Sequence, residues 1–282
     1  MLWGQYRALV TNGAKVRGVR SEPLFFLLTF AFSWSLWVPV VVIGGEPSAL
    51  LAIAVGVGAA GPSLAGLLCT GRDEGWSGVR RVLRSLVDWR VGARWYALAL
   101  GGPIAVALAA VAVHRLVVGN EAEFRVETST ILLVPVALMA GLFIGPLQEE
   151  LGWRGFALPR LLDRWSGLRA SLVLGVAWAC WHLPLYAMDA GGQERAPLAV
   201  FLISVVSLSV LYTWFWVVTG GSLLIALLLH SATNTAAVVL LRDARSDFGP
   251  VIVATVLTVV LAAGAAQHLE RSRPPKSEER QP

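Results

Sequence analysis

Apolar runs of about 20 residues recur along the whole chain, and that repetition limits what it can fold into. The hydrocarbon core of a bilayer is about 30 Å thick and takes roughly 20 helical residues to cross. Runs of that kind lie at about 24–43, 49–69, 95–118, 131–147, 170–188, 198–218, 223–241 and 248–266. In lipid every backbone N–H and C=O must find a partner within the protein, so such runs cross as helices. Only 15% of the residues are charged, against about 25% in a soluble domain. The expected fold is all-α: a polytopic membrane protein of about eight transmembrane helices. The first run is followed by others like it, so it reads as a first span and not as a removable signal.

The polar stretches divide the rest. Residues 1–23 form a basic N-terminal segment, 24–266 a single transmembrane domain, and 267–282 a charged, Pro-containing tail expected to be disordered. Between the second and third runs, Gly71–Arg94 carries Val79, Val82, Leu83, Leu86 and Val87 at helical spacing, with Arg80, Arg81 and Arg84 between them. That pattern fits an amphipathic helix lying on the membrane surface.

Basic residues near span ends set orientation. With the N-terminus in the cytoplasm, the inner segments hold four Lys/Arg before the first span, six in Arg72–Arg94, four in Arg154–Arg169 and four in the tail, which is 18 of 23. Both ends are therefore expected inside. The net charge of +5 then follows from topology and from anionic lipid headgroups, and no nucleic-acid partner is called for. Cys69 and Cys180 have no CxxC spacing and read as structural thiols. Short basic loops and a high Arg/Ala content point to a bacterial plasma membrane, with the lipid bilayer itself as one partner.

Against this background certain polar residues stand out. Gln148-Glu149-Glu150-Leu151-Gly152-Trp153-Arg154 closes the fourth run, which is expected to continue as helix to Pro159. His182 lies in the fifth run, and His230 and Asn234 in the seventh. An ionisable group at the centre of a membrane helix costs on the order of 2.5–3.5 kcal/mol, so such groups mark function by default. Glu150 and Arg154 are four apart and can pair on one helical face. Glu149 is rotated by about 100° from Glu150, which leaves it free to face a cavity. A carboxylate in a dry site suits general base work. His230 and Asn234 share a face and could hold one oxygen together, as an oxyanion stabiliser does. Each residue alone has a plainer reading: a charged helix end, a hydrogen-bonded histidine, helix–helix glue for Asn234. Together, on three spans, they are hard to explain as packing. There is no HExxH, GxSxG, Walker A or GxGxxG pattern, which removes the ordinary zincin, serine hydrolase and nucleotide-binding classes.

Glu149-Glu150-x-x-x-Arg154, Trp178-x-x-x-His182 and His230-x-x-x-Asn234 resemble the three motifs of the CPBP intramembrane proteases, the CAAX-protease and bacteriocin-processing (abortive-infection) family. That family includes the type II CAAX prenyl endopeptidase. The flanking Gly155-Phe156-Ala157-Leu158-Pro159, Trp181-His182-Leu183-Pro184-Leu185 and Gly220-Gly221-Ser222-Leu223 fit as well, and the motif core spans about 135–240. The resemblance implies an eight-helix endopeptidase open toward the cytoplasmic side. Glu149 would activate water with His182, His230 and Asn234 would stabilise the oxyanion, and Glu150 and Arg154 would shape the site. Trp178 stands where many members have Phe, an aromatic exchange expected to matter little. The family has been called metal-dependent, which makes Glu149, His182 and His230 candidate zinc ligands; a glutamate mechanism without bound metal needs fewer assumptions.

The partner so implied is a peptide or protein substrate in or at the membrane, CAAX-like or otherwise membrane-associated. Two readings from other classes stand beside the peptidase. One is a non-proteolytic immunity or scaffold protein that binds peptides through the same cluster. The other is a transporter with a polar midplane site, disfavoured by the lack of an inverted repeat.

Overall fold

The computed structural model describes residues 21–43, 49–118, 128–188, 196–241 and 248–271. Among them the chain forms α1 (Glu22–Ile43), α2 (Ala49–Gly58), α3 (Gly61–Ser85), α4 (Ala93–Val118), α5 (Thr128–Phe143) and α6 (Pro146–Gly152). A π-helical turn, Trp153–Ala157, leads into α7 (Leu158–Leu162). Then follow α8 (Gly167–Trp181), α9 (Leu183–Ala187), α10 (Leu198–Val218), α11 (Leu223–Leu240) and α12 (Gly249–Arg271). No strand occurs among the described residues. Residues 119–127, most of the N-terminal segment and the tail beyond Arg271 lie outside them; the first five residues of the tail expected to be disordered, 267–271, instead continue α12 as helix.

Seven of these helical stretches are long and apolar enough to cross a membrane, and the bent pair Val134–Phe143 and Pro146–Leu162 makes an eighth where it forms one span. The expectation of about eight helices is met on those terms. Many of their Leu, Val and Ile side chains face outward, such as Leu116, Val136, Val176 and Val260, as a lipid-facing surface requires.

Three expectations need correction. The fourth span does not run as one helix to Pro159: it bends by 44° at the break before Pro146, where Gly145 has φ +95. Pro159 does not end a helix either, because it sits in the first turn of α7, where a missing N–H costs nothing. The basic amphipathic segment is helical over less of its length than expected: a break at Gly75 (φ +65) sets a second helical stretch apart from the apolar part of α3, and that stretch ends at Ser85, so Leu86 and Val87 lie beyond it.

The inner faces follow a four-residue beat. On α1 the buried residues are Glu22 at its start and then Phe25, Thr29, Ser33 and Trp37, the last four one above another as i, i+4 spacing dictates. Ser33 is satisfied by neighbouring helices: it donates to the Gly58 carbonyl at 2.7 Å and accepts the Trp181 indole N–H at 2.8 Å. Trp37 stacks on Trp181 at 4.8 Å and Trp153 meets Trp181 edge-on at 5.9 Å. This aromatic block joins α1, the π-turn and α8 beneath the residues singled out above.

Candidate active site

Glu149 and Glu150 occupy α6, a helix started by the bend itself. The Gly145 N–H donates to the Gln148 side-chain oxygen at 3.0 Å, and the Gln148 amide donates to the Gly56 carbonyl at 2.7 Å. Gln148 thus ties the start of α6 to α2. At its other end α6 lies almost against α3: a Cβ on Gly152 would stand 2.1 Å from the Pro62 carbonyl oxygen. Only glycine allows that approach. Ser63 adds a hydrogen bond to the Leu147 carbonyl at 2.9 Å. The helices that carry the two histidines begin on serine caps, Ser166 for α8 and Ser222 for α11, each accepting one of the N–H groups a helix start leaves open.

The two carboxylates take different partners, as their angular separation requires. Glu150 is fully buried; its Oε1 accepts from Arg154 Nη1 at 2.8 Å and lies 2.8 Å from His230 Nδ1. The guanidinium of Arg154 stacks over Trp178 at 4.6 Å and over Tyr212 at 4.8 Å, which are cation–π distances. Arg154 belongs to the π-turn, a feature that recurs at functional sites. Glu149, also buried, accepts the Trp178 indole N–H on Oε2 at 2.6 Å. Its Oε1 and the Asn234 Nδ2 lie 3.6 and 3.8 Å from the point where a Cβ on Gly145 would stand. Glu149 and Asn234 therefore border one small space, kept open by a glycine.

His182 is not inside a continuous helix but at the joint between α8 and α9. Its Nδ1 lies 2.9 Å from the Trp178 carbonyl. A carbonyl only accepts, so the hydrogen-bond pattern puts the proton on Nδ1 and leaves Nε2 with a lone pair. The Trp178 ring stands 5.8 Å from His182 and 5.4 Å from His230. Glu149, Glu150, Arg154, His182 and His230 are thus gathered round Trp178, from α6, the π-turn, α8 and α11. Asn234, half-buried, is the outermost of the set.

The three candidate zinc ligands do not fit a zinc site. Among the described residues no three His, Cys, Asp or Glu side chains are gathered closely enough to hold a metal ion. Both cysteines are free thiols.

Four residues make contacts that the spacing did not assign. Trp178 is more than an aromatic filler, because Phe has no N–H to offer Glu149. Gln148 and Gly145 build the bend, and the Gly145-Pro146 dipeptide was the signal for it. Tyr212, nearly fully buried, backs Arg154 and carries no motif.

The comparisons with known proteins fall on the same stretch. Residues 131–236 match the family described as Type II CAAX prenyl endopeptidase Rce1-like. A "CAAX prenyl protease 2" of Methanococcus maripaludis is 31% identical over 107 residues, covering 36% of this chain and 39% of that protein. The chain thus spans about two fifths of the length of the curated relative it matches. The stretch of sequence that carries the three motifs is thus similar, over residues 131–236, to the Type II CAAX prenyl endopeptidase Rce1-like family.

Proposed function

We propose that the chain is an intramembrane endopeptidase of the CAAX prenyl protease kind, hydrolysing peptide bonds of membrane-associated substrates near the cytoplasmic face of a bacterial plasma membrane. Residues 24–266 serve as one transmembrane unit, with both ends inside. The observation that carries this reading is the pair of buried carboxylates with separate environments. Glu150 is engaged by Arg154 and His230, while Glu149 keeps one oxygen turned to the space it shares with Asn234.

In the mechanism, Glu149 Oε1 takes a proton from a water in that space, and the oxygen attacks the scissile carbonyl. His182, with its lone pair on Nε2, holds the second water hydrogen. The negative charge that develops on the carbonyl oxygen is met by the Asn234 amide N–H and by His230, whose Nδ1–H is held by Glu150 and which donates to that oxygen from Nε2 in its doubly protonated form. The proton on Glu149 then passes to the departing amine, and the C–N bond breaks. Donors aimed at an oxyanion in a dry site contribute about 2.7–4 kcal/mol each.

The test is cleavage of a synthetic peptide ending in a prenylated Cys-aliphatic-aliphatic-X sequence, alongside a mixed peptide library, by the purified full-length protein. Glu149→Ala and His182→Ala should abolish turnover, while Gln267→Ala, an exposed position on α12, should keep it. A chelator arm reports any metal requirement. Cleavage that persists in Glu149→Ala would sink the mechanism.

A further inference from the structure

Trp178 meets both halves of the proposed water-activating pair. Its indole N–H reaches Glu149 Oε2 at 2.6 Å and its backbone carbonyl holds His182 Nδ1 at 2.9 Å. The indole is itself fixed. It is buried, its face carries the Arg154 guanidinium at 4.6 Å, and the His230 ring stands edge-on to it at 5.4 Å. A side chain so clamped cannot rotate away from the carboxylate without disturbing Arg154.

The alternatives open to Glu149 show why this matters. A buried carboxylate has two equivalent oxygens and free rotation about its last bond. Arg154 is close by, and its Nε and Nη2 hydrogens have no hydrogen-bond partner among the described residues. A carboxylate that turned to those donors would form a second strong ion pair and lose its access to water. The indole edge takes Oε2 while the indole face takes the guanidinium.

Resting on the endopeptidase reading, we infer that Trp178 is the positioning residue of Glu149: its indole N–H fixes Oε2 so that Oε1 is the oxygen presented to the attacking water. Phenylalanine at this position keeps an aromatic ring, smaller than indole, and has no N–H to give. The bond is a charge-assisted one, and removal of such a bond at an oriented base lowers turnover by about ten- to a hundredfold. Substrate binding does not use it, so KM should move less than twofold.

Two measurements test this. The first is steady-state cleavage of the prenylated peptide by wild type, Trp178→Phe, and a variant with β-(3-benzothienyl)alanine at 178, which keeps the shape of indole without its N–H. The expected result is an equal drop in kcat for both variants with KM retained. A benzothienyl variant as fast as wild type would reduce Trp178 to packing and overturn the inference. Wild-type kcat in Trp178→Phe beside a dead Glu149→Ala would overturn it too, and leave the endopeptidase reading standing. No cleavage by wild type would remove both. The second needs no turnover: indole N–H resonances of 15N-tryptophan-labelled protein. The signal lost in Trp178→Phe should lie downfield and move upfield in Glu149→Ala; one that stays put shows no bond to Glu149.

Discussion

On the proposed reading, Glu150 acts through its protein partners and not on substrate. It is fully buried with Arg154 and His230 on the same oxygen. Two unlike charges taken out of water gain little over a well-packed apolar pair, yet removing one of them strands the other at a cost of about 3–5 kcal/mol. Glu150→Ala should therefore lower the apparent Tm of the detergent-purified protein sharply. Glu149→Ala removes a carboxylate held by a neutral indole and should lower it far less. Equal losses would mean that Arg154 finds another counter-charge. This division was legible in the sequence, because four-residue spacing and a 100° turn separate the two carboxylates whatever the surroundings. The His230 contact was not legible: it joins residues 80 apart in the chain, and spacing carries no information about which helix faces lie against each other. Trp178 was misread for a related reason. Aromatic bulk can be read from a letter, whereas the use of an N–H depends on what stands beside it.

At the scale of the element, the segment from Phe143 to Leu162 is a series of local departures from a straight helix. Gly145 breaks it, Gln148 restarts it, the π-turn shifts Arg154 and α7 resumes it. The sequence reading ran the helix straight through, because apolar periodicity is insensitive to a one-residue break. The position of the whole segment depends on Gly152, whose Cα lies so close to α3 that an added methyl meets the Pro62 carbonyl oxygen at 2.1 Å. Backbone cannot yield as a side-chain tip can. Gly152→Ala should push α6 from α3 and shift Glu149 and Glu150 together, with an overpacking cost of about 1–3 kcal/mol. The measurable result is a lowered apparent Tm together with a lost kcat. A variant with normal stability and activity would show that the two helices have room to separate.

For the whole molecule, charge and contact point to the same end of the bundle. Arg164 pairs with Glu22 at 2.8 Å, Arg160 pairs with Glu74 at 2.9 Å, and Ser21 donates to Asp73 at 2.5 Å. The start of α1, the break in α3 and the end of α7 are thus held together in one layer. Arg160 and Arg164 are among the basic residues on which the expected orientation rests, and these pairs gather them at one end of the bundle. The exposed Arg80, Arg84 and Arg90 continue that layer beside exposed Trp76 and Trp89, an arrangement suited to an anionic headgroup region. Phe248, at the start of α12 and 39% exposed, belongs to the opposite face on this reading. With Cys69 and Cys180 replaced by Ala, a membrane-impermeant maleimide added to intact cells should label Phe248→Cys at once. It should label Arg90→Cys only after the membrane is permeabilised. Labelling in the reverse order would invert the orientation and turn the proposed site toward the opposite compartment. Labelling of both in intact cells would mean that an odd number of the five spans between them, the third to the seventh, does not cross.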